Sequence, residues 1–114
     1  MSYKKIEATE IEGGLRLLPD EEIELAFEAG SSYIYFTNKR VITLMLERYQ
    51  IAPYKDIIYY RIGKGVMWVL GKHRDGITIN LPGESSESKL NLAIDPKYYI
   101  DVEYLLARHV LKYS

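Results

Sequence analysis

The sequence predicts a mainly β chain of about seven short strands that ends in a single α-helix. Three observations carry that reading. The apolar runs are short and several alternate strictly with polar residues, as in Ile77-Thr-Ile-Asn-Leu81 and Lys89-Leu-Asn-Leu-Ala-Ile94. Turn-forming clusters rich in Gly, Ser, Asn and Asp punctuate these runs. The apolar period changes once, from two to three or four, after Asp95-Pro96-Lys97.

Taken in order, residues 1–17 are polar and are expected to be loose, and residues 18–114 form one domain. Pro19-Asp-Glu-Glu22 suits one helical turn, with its acids placed as a helix start prefers. Ile23, Leu25, Phe27 and Ala29 then alternate with Glu24, Ala26 and Glu28, which is strand period. Tyr33–Phe36 and Arg40–Leu46 are β-branched and aromatic and pair across Thr37–Arg40, where Asn38 tolerates a left-handed backbone. Residues 51–62 make the next strand, and Pro53 marks an edge or a strand start because it cannot donate to a ladder. Gly63-Lys-Gly65 ends it, Val66–Leu70 follows, and Asp75-Gly76 reads as a hairpin turn into Ile77–Leu81. After a polar loop, residues 89–94 form the last strand. In the helix, Asp95 caps and Pro96 fits the first position. Tyr99, Val102, Leu106, Val110 and Tyr113 make one apolar stripe; Ile100, Tyr104, Ala107 and Leu111 make a second beside it. That arc is wider than one core contact needs, so the helix is expected to face both its own sheet and another chain.

Composition narrows the function. A chain of 114 residues with 47% apolar and 27% charged residues can close one core without a metal or disulfide. Fifteen basic against 16 acidic residues give a net charge of −1, which argues against a nucleic-acid partner, since phosphates need a basic face. There is no cysteine, no apolar segment near membrane-spanning length and no secretion-type leader, so the chain reads as soluble and cytoplasmic. His73 and His109 have no serine or carboxylate tied to them by sequence, Gly63-Lys-Gly65 is too short to cradle a phosphate, and the acids at 20–24 lack calcium-loop spacing. No enzyme, cofactor or metal site is expected.

The words Glu22-Ile-Glu-Leu-Ala-Phe, Tyr35-Phe-Thr-Asn-Lys-Arg-Val-Ile and Ala52-Pro-Tyr-Lys-Asp-Ile, in that order and spacing, resemble the bacterial pleckstrin-homology-like domain family over about residues 18–112. The resemblance implies a bent antiparallel barrel of about seven strands capped by the helix. It also implies a binding or assembly module, since ring-like homo-oligomers occur among such proteins. Phosphoinositide-binding relatives carry Lys and Arg between their first two strands; here that loop, Ala29-Gly-Ser-Ser-Tyr33, has no basic residue, which argues against a phosphoinositide at the usual place.

Tyrosine is in excess, with 11 against two phenylalanines and one tryptophan. Consecutive strand residues such as Tyr59-Tyr60 point to opposite faces, so one ring must meet solvent or a partner. Tyr59, Tyr60, Tyr98, Tyr104 and Leu111 are therefore the candidate interface, and the leading function is a non-enzymatic module that forms a homo-oligomer. The alternative is a peptide or small ligand held at the sheet edge beside the helix. Trp68 is assigned first to core packing and second to an interface anchor. Lys39, Arg40, Lys72 and Arg74 are the candidate anion contacts, with solvated turn chemistry the preferred reading of Lys39-Arg40.

Overall fold

The computed structural model describes residues 3–113, except for the side chain of Tyr113. Met1, Ser2 and Ser114, parts of the expected N-terminal segment and domain end, lie outside the described residues, as does the last side chain of the first helical stripe. Eight strands and one α-helix follow in order: β1 (Lys4–Ile6), β2 (Ile23–Ala29), β3 (Ser32–Thr37), β4 (Arg40–Met45), β5 (Arg48–Pro53), β6 (Tyr59–Val69), β7 (Lys72–Asn80), β8 (Lys89–Leu92) and α1 (Tyr99–Val110).

The strands form two antiparallel sheets, ordered β1-β2-β3-β4-β5 and β6-β7-β8. The expected closed barrel is thus two sheets, linked at one corner by a parallel bridge between Tyr3 and Ile94. One core lies between them. Phe27, Ile34, Phe36 and Val41 come from the first sheet, Ile77, Ile79, Leu90 and Leu92 from the second, and Val102, Leu105 and Leu106 from α1. Alternation decides which residues reach it, because side chains two apart on a strand share a face.

The eighth strand is β1, from the segment expected to be loose. It pairs with β2 from Lys4↔Glu28 to Ile6↔Ala26. Residues 6–17 then lie over the outer face of the first sheet, where Ile11 is buried with Ala26, Tyr35 and Ile42. Two tyrosines hold this cover: the Tyr35 hydroxyl accepts from Glu12 N at 2.9 Å, and the Tyr49 hydroxyl donates to Glu12 O at 2.6 Å. This explains why Ala26, on the supposedly solvent side of β2, is fully buried. A strand with apolar residues on both faces belongs in a sheet covered on both sides.

Two turns differ from expectation. Gly63-Lys-Gly65 does not end a strand; β6 runs through it, with a shift of register between Gly63 and Met67. Glycines at φ 137° and 66° make that irregularity possible. The hairpin turn lies at Leu70-Gly71, and Asp75-Gly76 sits within β7. Gly76 is glycine for space: a Cβ there would come within 2.9 Å of Leu92 O. Asp75 instead uses its carboxylate to accept from Gly65 N at 3.1 Å. Pro53 closes the edge strand β5 rather than starting it. The helix signals at 95–97 hold, since Asp95 Oδ1 accepts from Lys97 N at 3.1 Å and Pro96–Tyr98 form a 3-10 turn leading into α1.

Candidate functional site: a buried polar lock and an exposed helix–strand face

The second and third sequence words that carry the family resemblance meet at one buried network centred on Glu21, the residue just before the first word. Thr37 begins the β3–β4 turn, and its hydroxyl oxygen accepts from Lys39 N and Arg40 N, each at 3.0 Å. The same hydroxyl donates to Glu21 Oε2 at 2.6 Å. Arg40 reaches back with its guanidinium fork, Nε to Glu21 Oε2 at 2.9 Å and Nη2 to Glu21 Oε1 at 3.1 Å. Leu18 N donates to Glu21 Oε1 at 2.7 Å, and Asn38 bridges to the backbone of Asp20 and Glu22. Tyr54 completes the knot: its hydroxyl donates to Thr37 O at 2.6 Å, and its N–H donates to Lys39 O at 3.2 Å.

Burial would raise the Glu21 carboxyl, but the Arg40 guanidinium, the Leu18 N–H and the Thr37 hydroxyl outweigh it and hold the group below the ordinary range. Burial pushes the Tyr54 phenol far above the ordinary tyrosine value, and the nearby Glu24 charge adds to the effect. Glu21 is therefore no helix-start acid. It is a buried counter-ion, and residues 18–21 form a turn closed by Glu21 N to Leu18 O at 3.0 Å.

This geometry separates Lys39 from Arg40. Arg40 is buried and spends its fork on Glu21, with Nη2 also donating to Arg16 O at 3.2 Å. Lys39 stays exposed at the rim of an open depression of about 470 Å³, floored by Leu18, Ile51 and Pro53 and flanked by Lys55. Lys72 and Arg74 are exposed on the β6–β7 hairpin and do not line that depression. The four candidate anion contacts do not share one rim.

The candidate interface residues divide as well. On α1, the first stripe turns inward, with Val102 and Leu106 fully buried. The second stripe stays outside: Ile100 is 81% exposed, Tyr104 68% and Leu111 62%. Leu111 shares a groove of about 280 Å³ with Ile58, Tyr59 and Tyr60, where β6 begins beside the C-terminal end of the helix. There the consecutive tyrosines part as strand geometry requires, with Tyr59 exposed and Tyr60 packed against the core. Tyr104 lies further along α1, with Arg108 over its ring at 5.6 Å. Tyr98 faces inward, edge-on to Phe27 at 5.4 Å between ring centroids. Tyr59, Tyr60 and Leu111 are thus brought together, Tyr104 is placed on the same helix face, and Tyr98 is a packing residue.

Sequence reasoning missed the pairing of His109 with Glu24. His109 is buried, its Nε2 lies 2.6 Å from Glu24 Oε1, and its ring stacks on Tyr54 at 4.7 Å. Arg108 Nη2 donates to the same carboxylate oxygen at 2.9 Å. The residues are 85 positions apart, so no local pattern could signal the contact. Trp68 was also misassigned to the core. Its neighbour Met67 takes the inward position, and Trp68, opposite His73 in the ladder, faces out.

No family model matches the sequence, and no curated protein matches it. Among solved structures, the chain is similar to a DUF1696 family protein with a pleckstrin-homology domain from Shewanella loihica PV-4. The identity is 17%, the match covers 82% of this chain and 83% of that one, and the TM-score is 0.58. The fold is pleckstrin-homology-like. The resemblance read from the three words thus holds at the level of the fold, and in this chain the polar lock joins the β3–β4 turn to the segment before β2 and to the end of β5. No helix among the described residues is long and apolar enough to cross a membrane.

Proposed function

We propose that this PH-like chain is a non-enzymatic, cytoplasmic interaction module that assembles with copies of itself through the outer face of α1 and the start of β6. The observation that carries the reading is that Ile100, Tyr104 and Leu111 stay exposed along one side of α1, and that Leu111 shares a groove with Ile58 and Tyr59. A contiguous apolar surface with aromatic anchors is what interfaces are built from. No basic side chain stands in the β2–β3 turn at Gly30-Ser31, so the surface and not that loop is the place to look for a partner. Light scattering behind size exclusion, at two salt concentrations, tests this. The expected result is a discrete, salt-resistant multiple of 13.2 kDa, reduced to a single chain by Tyr104→Glu with Leu111→Glu. A single-chain mass at every concentration overturns it.

A second reading rests on β6 being an edge strand that, among the described residues, pairs with β7 alone and runs beside α1. An extended peptide could add to that edge and seat a side chain in the groove between Tyr59 and Leu111. A monomer in solution that captures extended peptides, and loses them on Leu111→Glu, is the outcome that favours it.

A further inference from the structure

The β6–β7 hairpin carries features that neither the core nor the α1 face explains. β8 pairs with β7 only from Ile77 to Asn80, so the distal half of the hairpin, beyond Ile62 and Ile77, continues as a two-stranded ribbon without a third strand. Such ribbons are marginal in water, and their turns usually hold Asn, Asp or Gly. Here the turn holds Leu70 at φ 51°, followed by Gly71 at φ 75°. A leucine in the left-handed region is strained, and this one is also 93% exposed. Trp68, two residues before it, is 58% exposed and packs edge-on against His73 at 4.7 Å. Strain combined with exposed apolar surface points to use.

The charge around them is mainly positive. Residues 64–74 hold Lys64, Lys72 and Arg74 and no acid, while the whole chain is −1, so the remainder carries −4. Asp75, the next acid, is turned back onto Gly65 N. The tip therefore presents a leucine at its apex, with Lys72, Trp68 and Arg74 on the successive rungs behind it. A bilayer interface has a partner for each: acyl chains for the leucine, the headgroup level where Trp settles, and lipid phosphates for the cations. A protein partner would need a pocket shaped to this convex projection, whereas a lipid surface needs none.

We propose that the tip of the β6–β7 hairpin is a membrane-surface contact, placing Leu70 and Trp68 among the headgroups of a bilayer that contains anionic lipid, with Lys64, Lys72 and Arg74 at the phosphates. This assignment is independent of self-assembly through α1. The site lies away from the β2–β3 turn and recognises surface charge and interfacial depth rather than one headgroup.

Trp68 is the single tryptophan of the chain, so its emission reports the tip directly. The full chain is titrated with vesicles of phosphatidylcholine and phosphatidylglycerol in equal parts, and with vesicles of phosphatidylcholine alone, following emission and co-sedimentation. The expected result is a blue shift and co-sedimentation with the anionic vesicles only, weakened by salt. Each of Lys72→Gln and Arg74→Gln should lower partitioning about fivefold. Leu70→Asp, which suits a left-handed turn better than leucine and so leaves the fold intact, should abolish binding. Unchanged emission with protein left in the supernatant overturns the lipid assignment in favour of a protein partner. Binding that survives Leu70→Asp, or that is equal on neutral vesicles, overturns it too.

Discussion

Replacing Glu21 by Gln tests the idea that the Thr37–Arg40 motif is a structural lock. The side chain keeps its shape, but the Arg40 charge loses its counter-ion at a site where both residues are below 10% exposure. Two of the four hydrogen bonds accepted by Glu21 would then meet an amide NH₂, since Oε1 faces Leu18 N and Arg40 Nη2 while Oε2 faces Thr37 Oγ1 and Arg40 Nε. Removing one member of a buried pair costs about 3–5 kcal/mol. Domains of this size have about 5–15 kcal/mol in total. At roughly 4 °C per kcal/mol, the midpoint should fall by more than about 10 °C in a thermal melt. The acid limb of the stability curve gives a second readout. The folded Glu21 value is below its ordinary value of 4.5, so the unfolded chain binds the extra proton first. The contribution is complete above the ordinary value and is lost as pH falls through the folded one. Glu21→Gln should lack that component. Glu21→Met with Arg40→Met should recover at least half of the loss, because no charge is left stranded. A loss under about 1 kcal/mol for Glu21→Gln, or an acid limb identical to that of the parent chain, refutes the lock.

Three further outcomes follow from the same geometry. Tyr54→Phe removes the hydroxyl from Thr37 O and should cost about 1–2 kcal/mol in urea unfolding. In the parent chain the raised Tyr54 phenol stabilises the fold below pH 10.0 and ceases to do so as pH climbs above it, so its tyrosinate absorbance should appear only with alkaline unfolding. Arg40→Lys loses the two-pronged contact with Glu21 and should cost about 1.5–3 kcal/mol, whereas Lys39→Gln, one residue away but exposed, should change the melting midpoint negligibly. Gly76→Ala should destabilise by about 1–3 kcal/mol, because the added methyl meets the Leu92 carbonyl; a neutral result would show that the second sheet yields there.

The sequence by itself determined the class of the fold, because strand alternation, turn chemistry and the capped helix are local signals written in adjacent residues. Ile23–Ala29 alternates and is a strand; Asp95-Pro96 caps and the helix follows. It also marked two neighbouring apolar stripes on α1, since a helix fixes the angle between neighbours; packing then buried the one through Val102 and Leu106 and left Ile100, Tyr104 and Leu111 exposed. Tertiary structure alone decided the rest. Whether Tyr35 and Tyr49 face a partner or clamp residues 6–17 depends on where a distant segment lies. Arg40 looked like a solvated turn cation until the chain brought Glu21 beneath it from 19 residues away. The Asp75-Gly76 pair had the composition of a turn, yet the close approach of Leu92 made glycine necessary inside a strand, and the turn fell to Leu70-Gly71, whose leucine no hairpin rule favours. Periodicity reports which way a residue points within its own element; only the packing of elements decides what it meets there.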